Sequence, residues 1–326
     1  MNMTVRARSI TVAGFVVILG LALALGDAFG SVPAMATNSA TSVTTPKSAL
    51  RKSVKSSRPV KSAKVPAPTA RPDRSFSIPT GELTEASGCA VSKATPDLVW
   101  LHNDSGNAAR LFGVNLTTKA VRVVDVGGAQ AVDWEDIAML PNGNLLIGDI
   151  GDNAKQRTSI TLYEVPEPST TTNSVTAVGR TLQYIDGPHN AEALVVDPTD
   201  GTPYVITKEE TGIAGVYVAD GGALRSVGTI TIDTESFLFP NLITGADALP
   251  DGSGIVLRTY QFGYVLRRPA GQPFVAAFSA KPKPFALPFM IQAEAICALR
   301  DARSVFTTTE SRGEATIPMA IVSLPR

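Results

Sequence analysis

The sequence contains few of the residues from which common catalytic centres are built. Among its 326 residues are two cysteines and two histidines, and aromatic residues make up only 6%. The four Cys and His residues lie at positions 89, 102, 189 and 297, without the spacing of a zinc site. No G-x-S-x-G nucleophile elbow is present, which argues against a serine hydrolase of that type.

The sequence also has no net charge: the formal value is zero, because two segments of opposite charge cancel. Residues 37–74 carry nine Lys or Arg and one acid, whereas residues 75–326 carry 18 Lys or Arg and 27 acids. An acidic body argues against nucleic-acid binding, which needs a basic face. The basic segment is interpreted as a solvated linker, with contact to a polyanion as the alternative.

The N-terminal region has the pattern of a targeting segment. Arg6 and Arg8 precede the apolar run Ile10–Leu25, and the small-residue site Ala34-Met35-Ala36 follows. We predict a signal peptide over residues 1–36 and a secreted, extracellular or cell-wall associated protein. The alternative is an uncleaved anchor, although the apolar run of 16 residues is shorter than the roughly 20 that a membrane span needs. After cleavage no membrane span is expected.

Residues 37–74 are rich in Ser, Thr, Pro and Lys and have almost no large apolar side chains. Such a segment cannot bury enough surface to offset the entropy of ordering, so it is predicted to be a disordered linker. From about Ser75 the pattern changes to short β-rich runs separated by Gly, Pro, Asn and Asp, which is typical of strands and turns.

Five segments in this region align on a small residue, an oxygen-bearing residue and a short apolar run. Their spacings are 48, 57, 55 and 47 residues, which suits a four-stranded propeller blade. The aligned segments are 86–90, 134–138, 191–195, 246–250 and 293–297.

The last repeat leaves too little chain for a complete blade. Only 32 residues follow Glu294, enough for three strands, while Ser75 to Leu83 has no other place. We predict that this stretch supplies the missing outer strand and closes the ring, which removes the open sheet edges that favour association. The sequence therefore predicts an all-β, five-bladed β-propeller over residues 75–326, closure of the last blade by an N-terminal strand, and a monomer.

The oxygen-bearing residues of the repeat are expected to line the central channel. Buried carboxylates repel one another, so each must be protonated, paired or bound to a metal, and no Lys or Arg recurs at the repeat position. Ca²⁺ fits such a set because it accepts six to eight oxygen ligands. In the alternative, each acid accepts backbone N–H groups from the neighbouring blade and holds the blades together. The predicted metal ligands are Ser87, Glu135, Glu192, Asp247 and Glu294.

The turns between the second and third strands of each blade share one face with the loops that enter each repeat. They bring polar and acidic groups together there. Candidate catalytic residues are Asp104, Asp149, Asp152, Glu209 and Glu310. Candidate ligand-binding residues are His102, Asn103, Asp104, Trp134, Asp149, Asn153, His189, Lys208, Arg258 and Arg312. Two alternatives stay open: Asn-Asp-Ser-Gly is also what a tight turn requires, and Trp134 also suits packing between blades.

The Ser, Glu, Glu, Asp, Glu series at blade spacing resembles the five-bladed calcium-activated nucleotidases (apyrases), in which a Ser/Glu series on inner strands holds a central calcium. This resemblance implies calcium binding and hydrolysis of nucleotides. The basic side chains nearest to a triphosphate would then be Arg110, Lys155, Lys208, Arg258 and Arg312.

A second resemblance is to secreted bacterial propeller proteins that carry three motifs. Here these are His-Asn-Asp-Ser-Gly at 102–106, Asp-Trp-Glu-Asp-Ile-Ala at 133–138 and Gly-Asp-Ile-Gly-Asp-Asn at 148–153. This resemblance implies a fold and a compartment.

Cys89 and Cys297 fall on the inner strands of the first and last blades, which become neighbours when the ring closes. In an exported protein they form either a disulfide or two buried free thiols.

Two functions follow from this pattern. The first is a calcium-stabilised propeller that binds a small ligand or an extracellular partner on its acidic face. The alternative is a calcium-dependent hydrolase of phosphate esters or anhydrides, apyrase-like or phytase-like, which must offset substrate charge with the metal or with Arg and Lys.

Overall fold

The computed structural model describes residues 72–233 and 240–325. The predicted signal peptide and almost all of the predicted linker lie outside these residues. Within the described ranges, no helix combines the length and the apolar character needed to cross a membrane.

The described residues form twenty-one strands and one 3-10 helix, Phe274–Ser279. The strands are β1 Arg74–Pro79, β2 Ala86–Val91, β3 Leu98–Asn103, β4 Arg110–Asn115, β5 Val121–Gly127, β6 Trp134–Met139, β7 Asn144–Asp149, β8 Ile160–Pro166, β9 Ser174–Thr176, β10 Val178–Tyr184, β11 Ala191–Val196, β12 Pro203–Thr207, β13 Ile213–Asp220, β14 Ala223–Thr231, β15 Ile243–Ala248, β16 Gly254–Thr259, β17 Phe262–Arg267, β18 Lys283–Ala286, β19 Ile296–Ala298, β20 Ser304–Thr308 and β21 Thr316–Ser323.

Antiparallel pairing arranges these strands in five successive groups of four. Groups 1 to 5 are β2-β3-β4-β5, β6-β7-β8-β10, β11-β12-β13-β14, β15-β16-β17-β18 and β19-β20-β21-β1. Two parallel pairings add to this at outer strands, β9 with β5 and β10 with β14. Because the second of these joins groups 2 and 3, the hydrogen-bonded sheets number four among the described strands, and one has eight strands.

Burial within each group follows its position in the fold. The first strands are buried along their whole length, as in β11, or at all but one residue, as in β2, β6 and β15, whereas a fourth strand such as β5 alternates between buried and exposed residues. A strand covered by neighbours on both faces reads as a continuous apolar run, while a strand with one wet face alternates. The first strands are therefore innermost.

These innermost strands contact one another in a closed circle, β2 to β6, β11, β15, β19 and back to β2. Five hydrophobic clusters occupy the spaces between neighbouring groups, and each draws its side chains from two of them. Trp100 and Trp134, for example, belong to the cluster between groups 1 and 2. Groups packed face to face around an axis define a fold of the β-propeller type.

The N-terminal strand closes the last group, as predicted. β1 pairs antiparallel with β21, with Phe76 opposite Met319 and Ile78 opposite Ile317. Ile78 is 1% exposed and packs in the cluster between groups 5 and 1, which Leu83 also joins beyond the end of the strand. The first strand of the described chain and the last are thus held side by side.

Candidate functional site

Four innermost strands share one irregularity near the start of their pairing. The register shifts between Ala86 and Cys89, Trp134 and Asp136, Ala191 and Ala193, and Ile243 and Gly245. A β-bulge of this kind redirects a side chain at the rim of a sheet. The residues that directly follow the first member of each pair are Ser87, Glu135, Glu192 and Thr244.

The prediction that Asp247 aligns with these residues is wrong in register. Thr244 occupies the equivalent place, because the pairs Ile243–Thr259 and Gly245–Arg258 bracket it. In the same way, Trp134–Asp149 and Asp136–Gly148 bracket Glu135.

Asp247 lies three residues further along β15, where its carboxylate accepts N–H groups from Ala248 at 2.8 Å and Ala298 at 2.9 Å. It lines a cavity with Met139 and Arg300, at the end of the innermost strands away from the bulges. This placement agrees with the alternative interpretation, in which an acid holds neighbouring strands together.

Carboxylates from groups 1, 2 and 5 meet near the bulges. They form two sets of three residues, and within each set one carboxylate oxygen from each residue lies within 4.8 Å of the oxygens from the other two. One set is Asp104, Glu294 and Glu310, and the other is Asp104, Asp133 and Glu135. We call these five residues the carboxylate cluster; Asp104 belongs to both sets.

The electrostatics of the cluster disfavour a fully charged state. Burial raises the pKa of Asp104 to about 6 and that of Glu310 to about 7, and neighbouring carboxylates add to the effect. Burial also raises the pKa of Glu135 and of Glu294 well above the usual range, with the charge of Glu192 as the next cause. Desolvation and the charges of neighbouring carboxylates both raise these pKa values, whereas a bound cation lowers them.

Gly151 explains how the two carboxylates of group 2 come so close to the backbone. A Cβ at position 151 would overlap Glu135 Oε1 and the carboxylate of Asp133. The second glycine of the Gly-Asp-Ile-Gly-Asp-Asn motif therefore leaves the space that these side chains fill.

One basic side chain does reach the repeat position, contrary to expectation. Lys208 Nζ forms an ion pair with Glu192 Oε1 and donates to Tyr260 OH at 3.0 Å. Tyr260 OH in turn donates to Glu294 Oε1 at 3.4 Å. Burial raises the pKa of Glu192 to about 7 even though Lys208 acts to lower it. Glu192 is thus neutralised from within the protein, whereas the carboxylate cluster has no ion pair with a basic side chain among the described residues.

Two carboxylate oxygens here are buried without a hydrogen-bond donor among the described residues, Glu192 Oε2 and Glu294 Oε2. Glu294 is only 6% exposed. A buried acceptor without a partner is destabilising by about 1–3 kcal/mol, and more when it is charged. A proton or a bound cation removes this penalty.

Three other predicted acids have partners elsewhere on this face. Asp149 is buried and forms an ion pair with Arg157 at 2.8 Å. Asp152 accepts the backbone N–H of Arg157 at 2.7 Å, and Glu209 pairs with Lys155 at 2.9 Å. None of these three belongs to the carboxylate cluster.

His102, Asn103 and Trp134 lie inside the fold. His102 is fully buried, its ring packs edge-on against Trp134 with centroids 5.7 Å apart, and burial lowers its pKa to about 4. Asn103 Oδ1 accepts the N–H groups of Thr84 and Glu85, both at 3.0 Å. These placements agree with packing and turn roles.

The remaining ligand-binding candidates are dispersed. Arg258 is buried, donates to Thr307 Oγ1, and so links groups 4 and 5. His189 contacts Tyr217 OH at 2.9 Å at the edge of groups 2 and 3. Asn153 Oδ1 accepts from Asn190 at 3.1 Å, and Arg312 is exposed in a groove that Glu310 also lines.

Sequence reasoning missed Asp133, Asp136 and Tyr260. Asp133 and Asp136 flank the predicted Glu135 in the motif at 133–138, so the motif itself was the signal. Tyr260 lies in the turn after β16, and its contact with Lys208 depends on how groups 3 and 4 pack.

Comparison with known proteins supports the class of fold. No protein-family model and no curated protein sequence matches the chain. Among solved structures, the Malassezia sympodialis allergen Mala s 1 is similar with a TM-score of 0.51 and 11% identity, over 77% of this chain and 96% of that one.

Two bacterial structures are more distant. The PQQ-bound aldose sugar dehydrogenase of Streptomyces coelicolor has a TM-score of 0.46 and 9% identity, over 77% of this chain and 100% of that one. The gluconolactonase XC5397 of Xanthomonas campestris has a TM-score of 0.44 and 13% identity, over 74% and 86%.

Proposed function

We propose that the protein is a secreted or wall-associated five-bladed propeller that binds Ca²⁺ in the carboxylate cluster and a small ligand or extracellular partner on the face around it. The observation that carries the proposal is Glu294. Its Oε2 is buried without a hydrogen-bond donor, and one oxygen of the same carboxylate lies within 4.8 Å of oxygens of Asp104 and Glu310, so a cation bound there supplies a partner.

The donor set favours calcium over other metals. The five residues of the cluster offer carboxylate oxygens alone, and hard oxygen ligands in irregular geometry suit Ca²⁺. Of the metal ligands predicted from sequence, Glu135 and Glu294 remain proposed calcium ligands. Glu192 is instead the ion-pair partner of Lys208. Ser87 has a structural role, since its Oγ donates to Glu135 O at 2.7 Å.

Five blades are proposed because five antiparallel groups, five interfacial clusters and a circle of five innermost strands coincide. In that arrangement Asp104 of the first blade lies beside Asp133 and Glu135 of the second in one set, and beside Glu294 and Glu310 of the last in the other. A cation there joins the first, second and last blades.

Binding is favoured over phosphate hydrolysis by the state of the basic residues. Arg110 pairs with Glu82 and with Asp125, Lys155 with Glu209, and Lys208 with Glu192. A phosphate substrate would have to displace these partners or depend for charge compensation on the metal and on Arg312, which is exposed in the groove that Glu310 lines.

The test is calorimetric titration of chelator-treated full-length protein with CaCl₂. Wild type should bind one equivalent or more, and Asp104→Asn and Glu294→Gln should each weaken binding at least about tenfold, since each removes a charged ligand. Asp220→Asn, an exposed acid outside the cluster, is the matched control and should bind as wild type. Absence of calcium binding by wild type would remove the metal from the proposal.

The same preparations, with and without Ca²⁺, should be assayed against nucleotides, phytate and sugar phosphates. No turnover is expected. Calcium-dependent turnover that Asp104→Asn abolishes would establish the hydrolase instead.

A further inference from the structure

The two cysteines of the chain lie in one buried cluster at the seam where the ring closes. Cys89 belongs to β2 of group 1 and Cys297 to β19 of group 5, and these two strands are neighbours. After burial, the Cys297 thiol is the next cause that raises the pKa of the Cys89 thiol. Both side chains are 0% exposed and free.

The strand registers show how the two cysteines are offset along their strands. Cys89 pairs with Leu101 directly after the bulge of β2, and Ile296 pairs with Thr307 at the corresponding place of β19. Cys297 is therefore one residue further along its strand. Both thiols point into the cluster that contains Phe76, Phe306 and Met319, rather than into solvent.

This environment is unfavourable for thiolate chemistry. Burial raises the pKa of both thiols, and the nearby carboxylates of Asp136 and Asp247 act in the same direction. A nucleophilic or metal-bound cysteine must lose its proton, so an uncharged product suits this site better than a thiolate.

We propose that Cys89 and Cys297 are the site of an intramolecular disulfide that forms when the chain folds in an oxidising compartment. The two thiols lose two protons and two electrons as the S–S bond forms. The acceptor is another disulfide, either a small-molecule disulfide or that of a thiol oxidoreductase, and it is reduced to two thiols. The exchange takes place before the cluster closes, while the cysteines are accessible.

The disulfide adds a covalent link to the closure of the ring, which the hydrogen-bonded pairing of β1 with β21 already provides. The β1–β21 pairing completes group 5 at its outer edge, and the disulfide joins the innermost strands of groups 5 and 1. It closes a loop that runs through every group of the fold, and a long closed loop restricts the unfolded chain strongly.

The test begins with full-length protein refolded from denaturant in reduced and oxidised glutathione. The monomer should be about 2 Da lighter than the reduced chain, for the two hydrogens lost, and should take up no iodoacetamide after denaturation. After reduction, both cysteines should be alkylated. Two alkylated cysteines without reduction, or a disulfide-linked dimer, would overturn the proposal.

A stability measurement separates a native link from an incidental one. Reductant should lower the melting temperature of the oxidised wild type by about 5 °C or more, given the size of the closed loop. The Cys89→Ala/Cys297→Ala double variant is the control. Its core packing differs from that of wild type, but it has no disulfide to reduce, so reductant should leave its melting temperature unchanged. An oxidised wild type that melts at the same temperature with and without reductant would contradict a native link.

Discussion

The carboxylate of Asp136 accepts the backbone N–H of Leu194 at 2.9 Å, across the boundary between groups 2 and 3. The same carboxylate accepts the N–H groups of Ala246 at 3.2 Å and of Ile137 at 2.9 Å. One side chain of β6 thereby links three innermost strands. Acids near the axis thus divide into two kinds: Asp136 and Asp247 have N–H partners, while Glu294 keeps an oxygen without a donor.

Asp136→Asn should lower the free energy of unfolding by about 2–4 kcal/mol. The amide keeps the size of the side chain but places an NH₂ group against backbone donors, which leaves buried groups unpaired. Urea denaturation of the variant and of wild type measures the difference. Asp220→Asn, on the surface, should stay within about 0.5 kcal/mol of wild type, and an equally small effect at Asp136 would contradict the linking role.

Ile78→Ala tests the closing strand. Ile78 is 1% exposed between groups 5 and 1, so truncation should lower the free energy of unfolding by about 2–4 kcal/mol. Ile185, which is 60% exposed, provides the matched control, and Ile185→Ala should change the value by less than about 0.5 kcal/mol. Equal effects in urea denaturation would argue that β1 contributes little to closure.

The repeat pattern predicted the innermost strands, and the short stretch of chain after the last repeat predicted the closing segment. Each aligned segment overlaps an innermost strand because small and apolar residues recur where neighbouring groups cover both faces. The fourth segment shows the limit of this reasoning. Ala246-Asp247-Ala248 resembles Ala191-Glu192-Ala193 in composition, yet the bulge falls at Thr244. Register depends on hydrogen bonding with β16, which a spacing pattern does not reveal.

The site was harder to predict than the fold. Glu135, Glu294, Asp104 and Glu310, four members of the carboxylate cluster, are candidates from sequence because they lie at repeat positions or in turns of the same face. Lys208 was assigned to ligand binding, but it reaches inward to Glu192. The direction of a long side chain in a turn is set by packing between groups, and local sequence does not determine it.

The stability of calcium-free protein should fall as pH rises from about 4 to about 7. Asp104 and Glu310 have folded-state pKa values of about 6 and about 7, above the values of roughly 4 expected in the unfolded chain. The folded state therefore binds more protons, and its advantage is present below the unfolded pKa and lost as pH rises through the folded pKa. Thermal melts in chelator measure this slope. Glu310→Gln should reduce it, and an unchanged slope would argue against a proton held there.

Lys208→Met should strengthen calcium binding on the order of tenfold. Its ammonium group is close to Glu192 and to Tyr260, which contacts Glu294, so it repels a cation in the neighbouring cluster. Without calcium the variant should be less stable, because Glu192 then lacks its partner. Lys155→Met, in an exposed ion pair, is the control and should bind calcium as wild type. Weaker calcium binding by Lys208→Met would indicate that Lys208 supports the site.

Calcium should raise the melting temperature of wild type and have little effect on Glu135→Gln. A ligand that binds only the folded state stabilises it by RT ln(1 + [L]/Kd), or about 2.7 kcal/mol at a hundredfold excess over Kd. Glutamine keeps the size of Glu135 but cannot ionise, whereas the wild-type carboxyl, whose pKa burial and Glu192 both raise, adds a charge to the cluster whenever it loses its proton. The calcium-free variant should therefore be as stable as wild type or more stable, because repulsion among the carboxylates falls. If Glu135 served packing alone, wild type would show no calcium response and the variant would be less stable without metal. Calorimetry of both proteins in calcium and in chelator distinguishes these outcomes, with elemental analysis to confirm that chelation has removed the ion.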